Sequence, residues 1–149
     1  MLCMAVMLAS FCGATSAHKE EGDPTQNVKL MRPLAEKGNP LAQYNLGVLY
    51  ANGSGVKRDY REAAKWYRLS AAQGTMLAQY QLGILYASGR GVKQDLVRAY
   101  MWSTLAAAKD NVDAKKQRDG IAKQMKPAQI ADAEKLAGEC EKRNYSECD

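Results

Sequence analysis

Apolar residues recur at helical spacing through the middle of the chain. The successive members of one set lie four, three and one positions apart, which places them on one face of a helix. It comprises Ala42, Leu46, Leu49 and Tyr50. A second apolar set follows after a polar interval and comprises Ala63, Trp66, Tyr67 and Ala71. The pattern therefore predicts two consecutive helices, which we call helix A and helix B.

The interval between helices A and B carries the signals of a turn. Gly53 and Gly55 suit backbone conformations that residues with a side chain resist. Asp59 is expected to cap helix B, and Glu62 three positions later completes the sequence pattern of a capping box. Gly74 marks the end of helix B. Together these residues predict a helix hairpin.

The whole pattern occurs twice, at an offset of 36 positions. The segment "YANGSGVKRD" begins at residue 50, and "YASGRGVKQD" begins at residue 86. Residues 42–74 align with residues 78–110 over both helices and the turn. The positions expected to hold the repeated structure are Leu46, Gly47, Tyr50, Gly53, Gly55, Asp59 and Ala63, with Leu82, Gly83, Tyr86, Gly89, Gly91, Asp95 and Ala99 in the second copy. A period in the thirties built from two helices is typical of an α-solenoid.

Gly47 and Gly83 interrupt helix A of each copy. A glycine in a helix interior costs about 1 kcal/mol relative to alanine. Because the glycine recurs at the same position, we expect a neighbouring helix to pass too closely there for any side chain.

The repeated unit resembles the Sel-1-like repeat, a relative of the tetratricopeptide repeat. The resemblance rests on "AQYNLGVLYANGSGVKRDYREAAKWYRLSAAQG" and on its second copy, in which the LG, Y, GxGV, D, A and AA positions fall at the expected spacing. It implies an all-α fold, a short right-handed α-solenoid of antiparallel helix pairs with terminal capping helices. It also implies a non-catalytic scaffold or adaptor that binds a protein or peptide.

The repeats divide the chain into five predicted segments. They are a signal peptide at 1–17, a partial repeat at 18–41, complete repeats at 42–77 and 78–113, and capping helices with a tail at 114–149. Pro33 lies inside the helix of the partial repeat and predicts a kink or a late start. Gly120 interrupts the first capping helix, and Pro127 suits the first turn of the second. The apolar stripe predicted for that last helix comprises Ile130, Ala133, Leu136 and Ala137.

The first 17 residues are uncharged and end in small residues, as in a secretory signal cleaved near Ala17. The apolar stretch is short for a transmembrane helix, which needs roughly 20 residues. No lysine or arginine precedes it, so either translation starts upstream or Met1 opens an atypical signal. A fraying N-terminal helix is the alternative. We expect a periplasmic or secreted protein with no stable membrane insertion after cleavage.

Cleavage would remove Cys3 and Cys12 and leave Cys140 and Cys148. Two cysteines in an exported protein suggest a disulfide, with two free thiols as the alternative. The polar residues 141–147 offer no hydrophobic reason to fold back onto the last helix. We therefore expect the disulfide to hold this segment and to contribute roughly 2–3 kcal/mol.

The residue inventory argues against catalysis. The composition is ordinary for a globular protein, with 46% hydrophobic and 25% charged residues. His18 is the only histidine, and it lies beside the expected cleavage site. A catalytic triad needs a histidine that rigid surroundings hold in place, which we do not expect at this position. Two cysteines and one terminal histidine do not supply the four ligands of a zinc site. We expect no enzyme activity, no cofactor and no metal.

The formal net charge of +5 does not predict nucleic-acid binding. Arg61, Lys65 and Arg68 line one face of the first helix B. The equivalent positions of the second copy are Val97, Met101 and Thr104. A nucleic-acid groove needs continuous positive charge, so we interpret the basic residues as a solvated face. Trp66 and Trp102 are interpreted as packing between helices.

The resemblance to tetratricopeptide-type repeats implies a concave groove lined by helix A. The residues turned away from its core face are Tyr44, Val48 and Ala51, flanked by Asn52, with Tyr80, Ile84 and Ala87, flanked by Ser88, in the second copy. This apolar surface with two tyrosine hydroxyls suits an extended or helical peptide. In the alternative interpretation, the same residues pack against one another or against the terminal helices.

Two other functions stay open at this point. The protein could be a structural or assembly subunit of an envelope complex, which would co-purify with its partners in fixed stoichiometry. It could also be a hydrolase or a β-lactam-binding enzyme, since some cysteine-rich exported relatives have been linked to β-lactams. The repeats of this chain contain no cysteine, so that activity is not carried over. The sequence names neither the partner nor the oligomeric state.

Overall fold

The computed structural model describes residues 24–149, and this part of the chain folds into seven α-helices without a β-strand. The helices are α1 (Pro24–Glu36), α2 (Pro40–Asn52), α3 (Tyr60–Ala71), α4 (Met76–Ser88), α5 (Leu96–Ala107), α6 (Val112–Ala122) and α7 (Pro127–Lys142). The predicted all-α repeat solenoid is confirmed. The predicted signal peptide, His18, Cys3 and Cys12 lie outside the described residues.

Each helix from α1 to α5 packs against the next helix along the chain. Helix α5 also packs against α7, and α4 contacts α6. Helices α2 and α4 are helix A of the two complete repeats, and α3 and α5 are helix B. The largest core cluster joins α3, α4, α5, α6 and α7 around the buried Trp102. A smaller cluster joins α1, α2 and α3 around the buried Trp66. Both tryptophans therefore pack between helices.

The turn between helices A and B is closed by the same backbone bond in both repeats and by an aspartate cap in each. The side chain of Asp59 accepts from the N–H groups of Arg61 (2.8 Å) and Glu62 (3.2 Å), as expected for a cap. The backbone N–H of Asp59 donates to the carbonyl of Tyr50 (3.0 Å). Asp95 and Tyr86 form the same backbone bond, also 3.0 Å long. The capping box predicted for Glu62 is wrong. It needs the backbone N–H of Asp59, and this group already donates to the carbonyl of Tyr50.

The turn glycines have left-handed backbone conformations, as predicted. The φ angles are 71° at Gly53, 73° at Gly55, 67° at Gly89 and 70° at Gly91. At Gly91 a Cβ atom would collide with the carbonyl group of Tyr60, the first residue of α3. The second turn therefore rests directly on the preceding repeat.

Close helix packing surrounds the glycine of each helix A. A Cβ on Gly47 would lie 2.6 Å from two carbons of the Tyr67 ring, which is 2% exposed. A Cβ on Gly83 would lie 2.5 Å from Gln117 Nε2 in α6 and 2.6 Å from Ser103 Oγ in α5. Helix B thus occupies the space that a side chain at either position would need, and α6 shares that space at Gly83.

The terminal helices differ in detail from the sequence prediction. Helix α1 continues through Pro33 rather than starting after it, and α6 continues through Gly120. Helix α7 begins at Pro127, as predicted. Ala133 and Ala137 of the predicted stripe are buried, and Ile130 is half-buried. Leu136 is wrongly assigned to the core, since it is 37% exposed.

Candidate binding surfaces

The first candidate surface is the helix A set, which comprises Tyr44, Val48, Ala51, Asn52, Tyr80, Ile84, Ala87 and Ser88. The apolar members of this set are half-buried, whereas Asn52 and Ser88 are exposed at the ends of their helices. Of the half-buried residues, Tyr44, Val48, Ala51 and Ala87 pack against the main core cluster. Tyr80 packs against a smaller cluster formed by Ala106, Ala107 and Ala114. These side chains therefore contribute to helix packing, and only part of each faces solvent.

The tyrosines of the helix A set have different surroundings. The Tyr44 ring lies with its centroid 5.9 Å from that of Tyr67, at a tilt of 35°. Burial raises the pKa of Tyr67, and the neighbouring Tyr44 adds to the rise. The Tyr67 phenol therefore stays neutral at physiological pH.

The second candidate surface lies on the repeat helices where residues 143–149 pack against them. It was not expected from the sequence. A disulfide joins Cys140 in α7 to Cys148, with the two Cα atoms 5.3 Å apart. The ring of Tyr145 packs against the main core cluster and lies where a Cβ on Gly74 would be 3.2 Å away. Lys109 Nζ lies 4.7 Å from the centroid of the same ring. The expectation that only the disulfide holds this segment is wrong, because Tyr145 also anchors it.

The carboxylate of Asp149 lies among four donors, Arg68, Tyr86, Arg98 and Trp102, which we call the Asp149 site. It accepts from Arg68 Nε, from the Tyr86 hydroxyl at 2.7 Å and from Trp102 Nε1 at 3.1 Å. Arg98 Nε lies 4.0 Å away. The Asp149 side chain is only 22% exposed, so these contacts replace most of its hydration. The interpretation of Arg68 as part of a solvated basic face is therefore wrong.

Charge and burial act together in the Asp149 site. Burial lowers the pKa of Arg68, but its hydrogen bonds to Tyr86 and Asp149 outweigh this and raise the pKa. Burial raises the pKa of Tyr86, and although the hydrogen bond from Arg68 lowers it, the hydrogen bond to Asp149 and the charge of Asp149 keep the pKa raised overall. The arginine thus stays charged and the phenol stays protonated, as donors to a carboxylate must.

An open cavity of about 820 Å³ adjoins the Asp149 site. Its lining includes Arg68, Tyr86, Arg98, Gln129 and the turn residues 91–96. A smaller cavity of about 220 Å³ lies beside Trp102 and Tyr145. Open space therefore remains beside the segment that Asp149 and Tyr145 anchor.

Comparison with known proteins places the chain in a family. Residues 40–75 and 77–111 match the model of the Sel1 repeat. The solved structure of a Sel1 repeat protein from Oxalobacter formigenes is similar, with 42% identity and a TM-score of 0.60. The similarity covers 62% of this chain and 70% of that protein. The chain belongs to the Sel1 repeat family. The resemblance inferred from the repeated motif is thereby confirmed.

A longer Sel1-type structure extends the comparison. The protective antigen c5321 of uropathogenic Escherichia coli displays a Sel-1-like repeat fold and is 35% identical, with a TM-score of 0.79. The similarity covers 85% of this chain, which spans only 28% of the length of that antigen. Among curated proteins, none matches the chain.

The sequence contained a partial signal for the Asp149 site of this Sel1 repeat protein. Tyr86 and Trp102 were assigned to the repeat core on their spacing, and both are buried. Nothing in the spacing indicated that their polar atoms meet Asp149, which lies 47 positions after Trp102. Across residues 24–149, no three or more His, Cys, Asp or Glu side chains are grouped to bind a metal. None of the helices in the same range is long and apolar enough to cross a bilayer.

Proposed function

We propose that this Sel1 repeat protein is a non-catalytic scaffold that binds a protein or peptide partner. The carrying observation is the pair of matched Sel1 repeats, a unit that typically mediates protein interactions. The two repeats place the same kinds of side chain at equivalent positions of α2 and α4. A partner that spans both repeats would therefore meet the same chemistry twice.

The helix A set is the proposed contact surface for that partner. Its apolar side chains are half-buried, which fixes their positions before binding and lowers the entropy cost of association. Asn52 and Ser88 are exposed beside them and supply polar contacts at the rim. Ser88 Oγ donates to the carbonyl of Ile84 at 2.8 Å, so its lone pairs are available to a donor on the partner. The arrangement suits an extended or helical peptide.

We propose the cell envelope or the outside of the cell as the site of action. The disulfide between Cys140 and Cys148 supports this, because such bonds persist in oxidising compartments. Intact mass of the protein recovered from its native host tests the assignment. We expect an N-terminus near His18 and a mass two hydrogens below that of the dithiol form.

Site-specific photocrosslinking tests the proposed contact surface. A photoreactive residue at position 52 or 88 should crosslink to a partner in envelope extract. The same residue at position 135 is the matched control, because Lys135 is exposed on α7 and lies outside the helix A set and the Asp149 site. A genuine partner should also co-purify with the unmodified protein. Equal crosslinking from positions 52, 88 and 135 would contradict the assignment of the surface.

A further inference from the structure

The Asp149 site has an equivalent one repeat earlier in the chain. At the offset of 36 positions, Arg68 corresponds to Arg32, Tyr86 to Tyr50, Trp102 to Trp66 and Arg98 to Glu62. We call these earlier residues, Arg32, Tyr50, Glu62 and Trp66, the first-repeat site. They lie on α1, α2 and α3, just as their counterparts lie on α3, α4 and α5.

The side chains of the first-repeat site are assembled as in the later copy. The Arg32 guanidinium donates to the Tyr50 hydroxyl, as Arg68 does to Tyr86. It lies 6.0 Å from the centroid of the Tyr50 ring, and the corresponding distance in the later copy is 5.7 Å. Tyr50 packs against the cluster that contains Trp66. The carboxylate nearest to Arg32 is that of the exposed Glu36, 4.0 Å from Nη1, and no described residue takes the place that Asp149 has in the later copy.

Trp66 shows what this arrangement lacks. Its indole is only 4% exposed, and Nε1 has no hydrogen-bond acceptor among the described residues. The corresponding nitrogen of Trp102 donates to Asp149. A buried donor without an acceptor is costly and is rare in native structures. The first-repeat site thus contains a buried donor at the position where the later copy binds a carboxylate.

A second difference concerns the aromatic anchor. In the later copy the ring of Tyr145, which precedes Asp149 by four positions in the sequence, covers Gly74. The equivalent glycine is Gly38, and a Cβ built there would meet no described atom within 4 Å. The space that Tyr145 fills in one repeat is therefore open in the other.

The charge of the first-repeat site is less favourable than that of the later copy. Glu62 stands in place of Arg98, and Glu36 stands in place of Ala72. Lys65 pairs with Glu62 at 4.0 Å and lies 5.5 Å from the Trp66 ring, which keeps a cation nearby. We expect a carboxylate to bind here more weakly than Asp149 binds in its own site.

We propose that the first-repeat site binds an acidic peptide segment of a partner protein. The peptide carboxylate accepts from Arg32, Tyr50 and Trp66, and an aromatic residue four positions earlier covers Gly38. Residues 143–149 of this chain show the chemistry of such a ligand. This proposal rests on the scaffold function proposed above but concerns a surface other than the helix A set, so the tests of the two surfaces can fail separately.

A synthetic peptide provides the probe. It carries the sequence of residues 143–149 with Cys148→Ser and an amidated C-terminus, so that only side-chain carboxylates are tested. The two indole N–H resonances of the full chain are followed by NMR during titration, after assignment with Trp66→Phe and Trp102→Phe. We expect the Trp66 signal to shift and the Trp102 signal to stay in place. A peptide with Asp149→Asn should bind about tenfold more weakly, since a charged hydrogen-bond acceptor is lost.

Two variants of the protein sharpen the test. Arg32→Gln should weaken binding about tenfold by removing the charged donor. Glu62→Arg introduces the residue found in the later copy at a half-buried position, and it should tighten binding several-fold because it replaces a negative charge with a positive one.

Four outcomes would overturn the proposal. The first three are an unchanged Trp66 signal, equal binding of the aspartate and asparagine peptides, and a shift of Trp102 in place of Trp66. A shift of Trp102 would mean that the peptide displaces residues 143–149. The fourth is a Trp66 shift that grows with protein concentration in the absence of peptide, which would identify a second copy of the chain as the ligand.

Discussion

Two glycines of this Sel1 repeat protein show how much a single position depends on its surroundings. Gly47 lies in α2 with the buried Tyr67 ring against it, whereas Gly120 lies in α6 with no atom close enough to meet a Cβ. Both residues occupy ordinary helical conformations, so the difference lies in packing. The same chemical change should therefore have opposite effects at the two positions.

Gly47→Ala should lower the free energy of unfolding by about 1–3 kcal/mol, because the added methyl group forces Tyr67 out of its packed position. Gly120→Ala should raise it by up to about 1 kcal/mol, because alanine favours the helix and meets no obstacle. Urea unfolding followed by circular dichroism measures both values. Similar values for the two variants would show that Tyr67 yields easily.

At the residue scale, the sequence predicted positions that repeat and missed positions that occur once. Gly47, Asp59 and Trp66 were assigned because each has a counterpart 36 positions later. Leu136 and Asp149 have no such counterpart, and their surroundings depend on how the last helix and segment return to the repeats. Periodicity carries no information about that return.

At the scale of the helix, the turn and its cap form one hydrogen-bonded unit. The backbone N–H of Asp95 bonds Tyr86 in the preceding helix, while its side chain accepts from Arg98 N at 2.9 Å and from Arg98 Nη1 at 2.7 Å. Partial burial raises the pKa of Asp95, but the hydrogen bonds and charge of Arg98 outweigh it and lower the pKa overall. The sequence identified the equivalent cap at Asp59, but not the backbone bond to the preceding helix that the two repeats share.

The lowered pKa of Asp95 predicts a contribution to stability that depends on pH. The contribution is complete above the ordinary aspartate pKa of about 3.9 and is lost as the pH falls through the lower folded-state value. Arg98 is substantially exposed, so we expect only about 0.5–1 kcal/mol. Asp95→Asn keeps a capping oxygen and removes the charge. Its unfolding free energy should fall less than that of the unmodified chain between pH 6 and pH 3, and an equal fall would contradict the assignment.

At the scale of the whole molecule, residues 143–149 link the last helix to the repeats. The disulfide fixes one end of the segment to α7, and Asp149 bonds Arg68, Tyr86 and Trp102 on three other helices. The terminal part of the chain thus stabilises the packing of both repeats. The sequence predicted the disulfide and the all-α solenoid, but these long-range contacts follow only from the three-dimensional arrangement.

Cys148→Ser should lower the free energy of unfolding by up to about 2–3 kcal/mol, because the loop is no longer closed in the unfolded state. Release of the segment should also expose Trp102 to acrylamide quenching, measured in a chain with Trp66→Phe. Trp66 in a chain with Trp102→Phe is the control and should be unaffected. Unchanged quenching of Trp102 would show that Tyr145 and Asp149 hold the segment without the disulfide.

The equal spacing of the repeats has a consequence for how such proteins can change length. Helices α2 and α3 begin at Pro40 and Tyr60, and their counterparts begin at Met76 and Leu96, 36 positions later. Residues 40–75 therefore end where an identical block could begin. The contact of Gly91 with the start of α3 already joins one block to the previous one. An in-frame duplication of a single gene segment would add a helix pair that fits both neighbours. The array can therefore grow during evolution while each new pair reuses the existing contact between repeats.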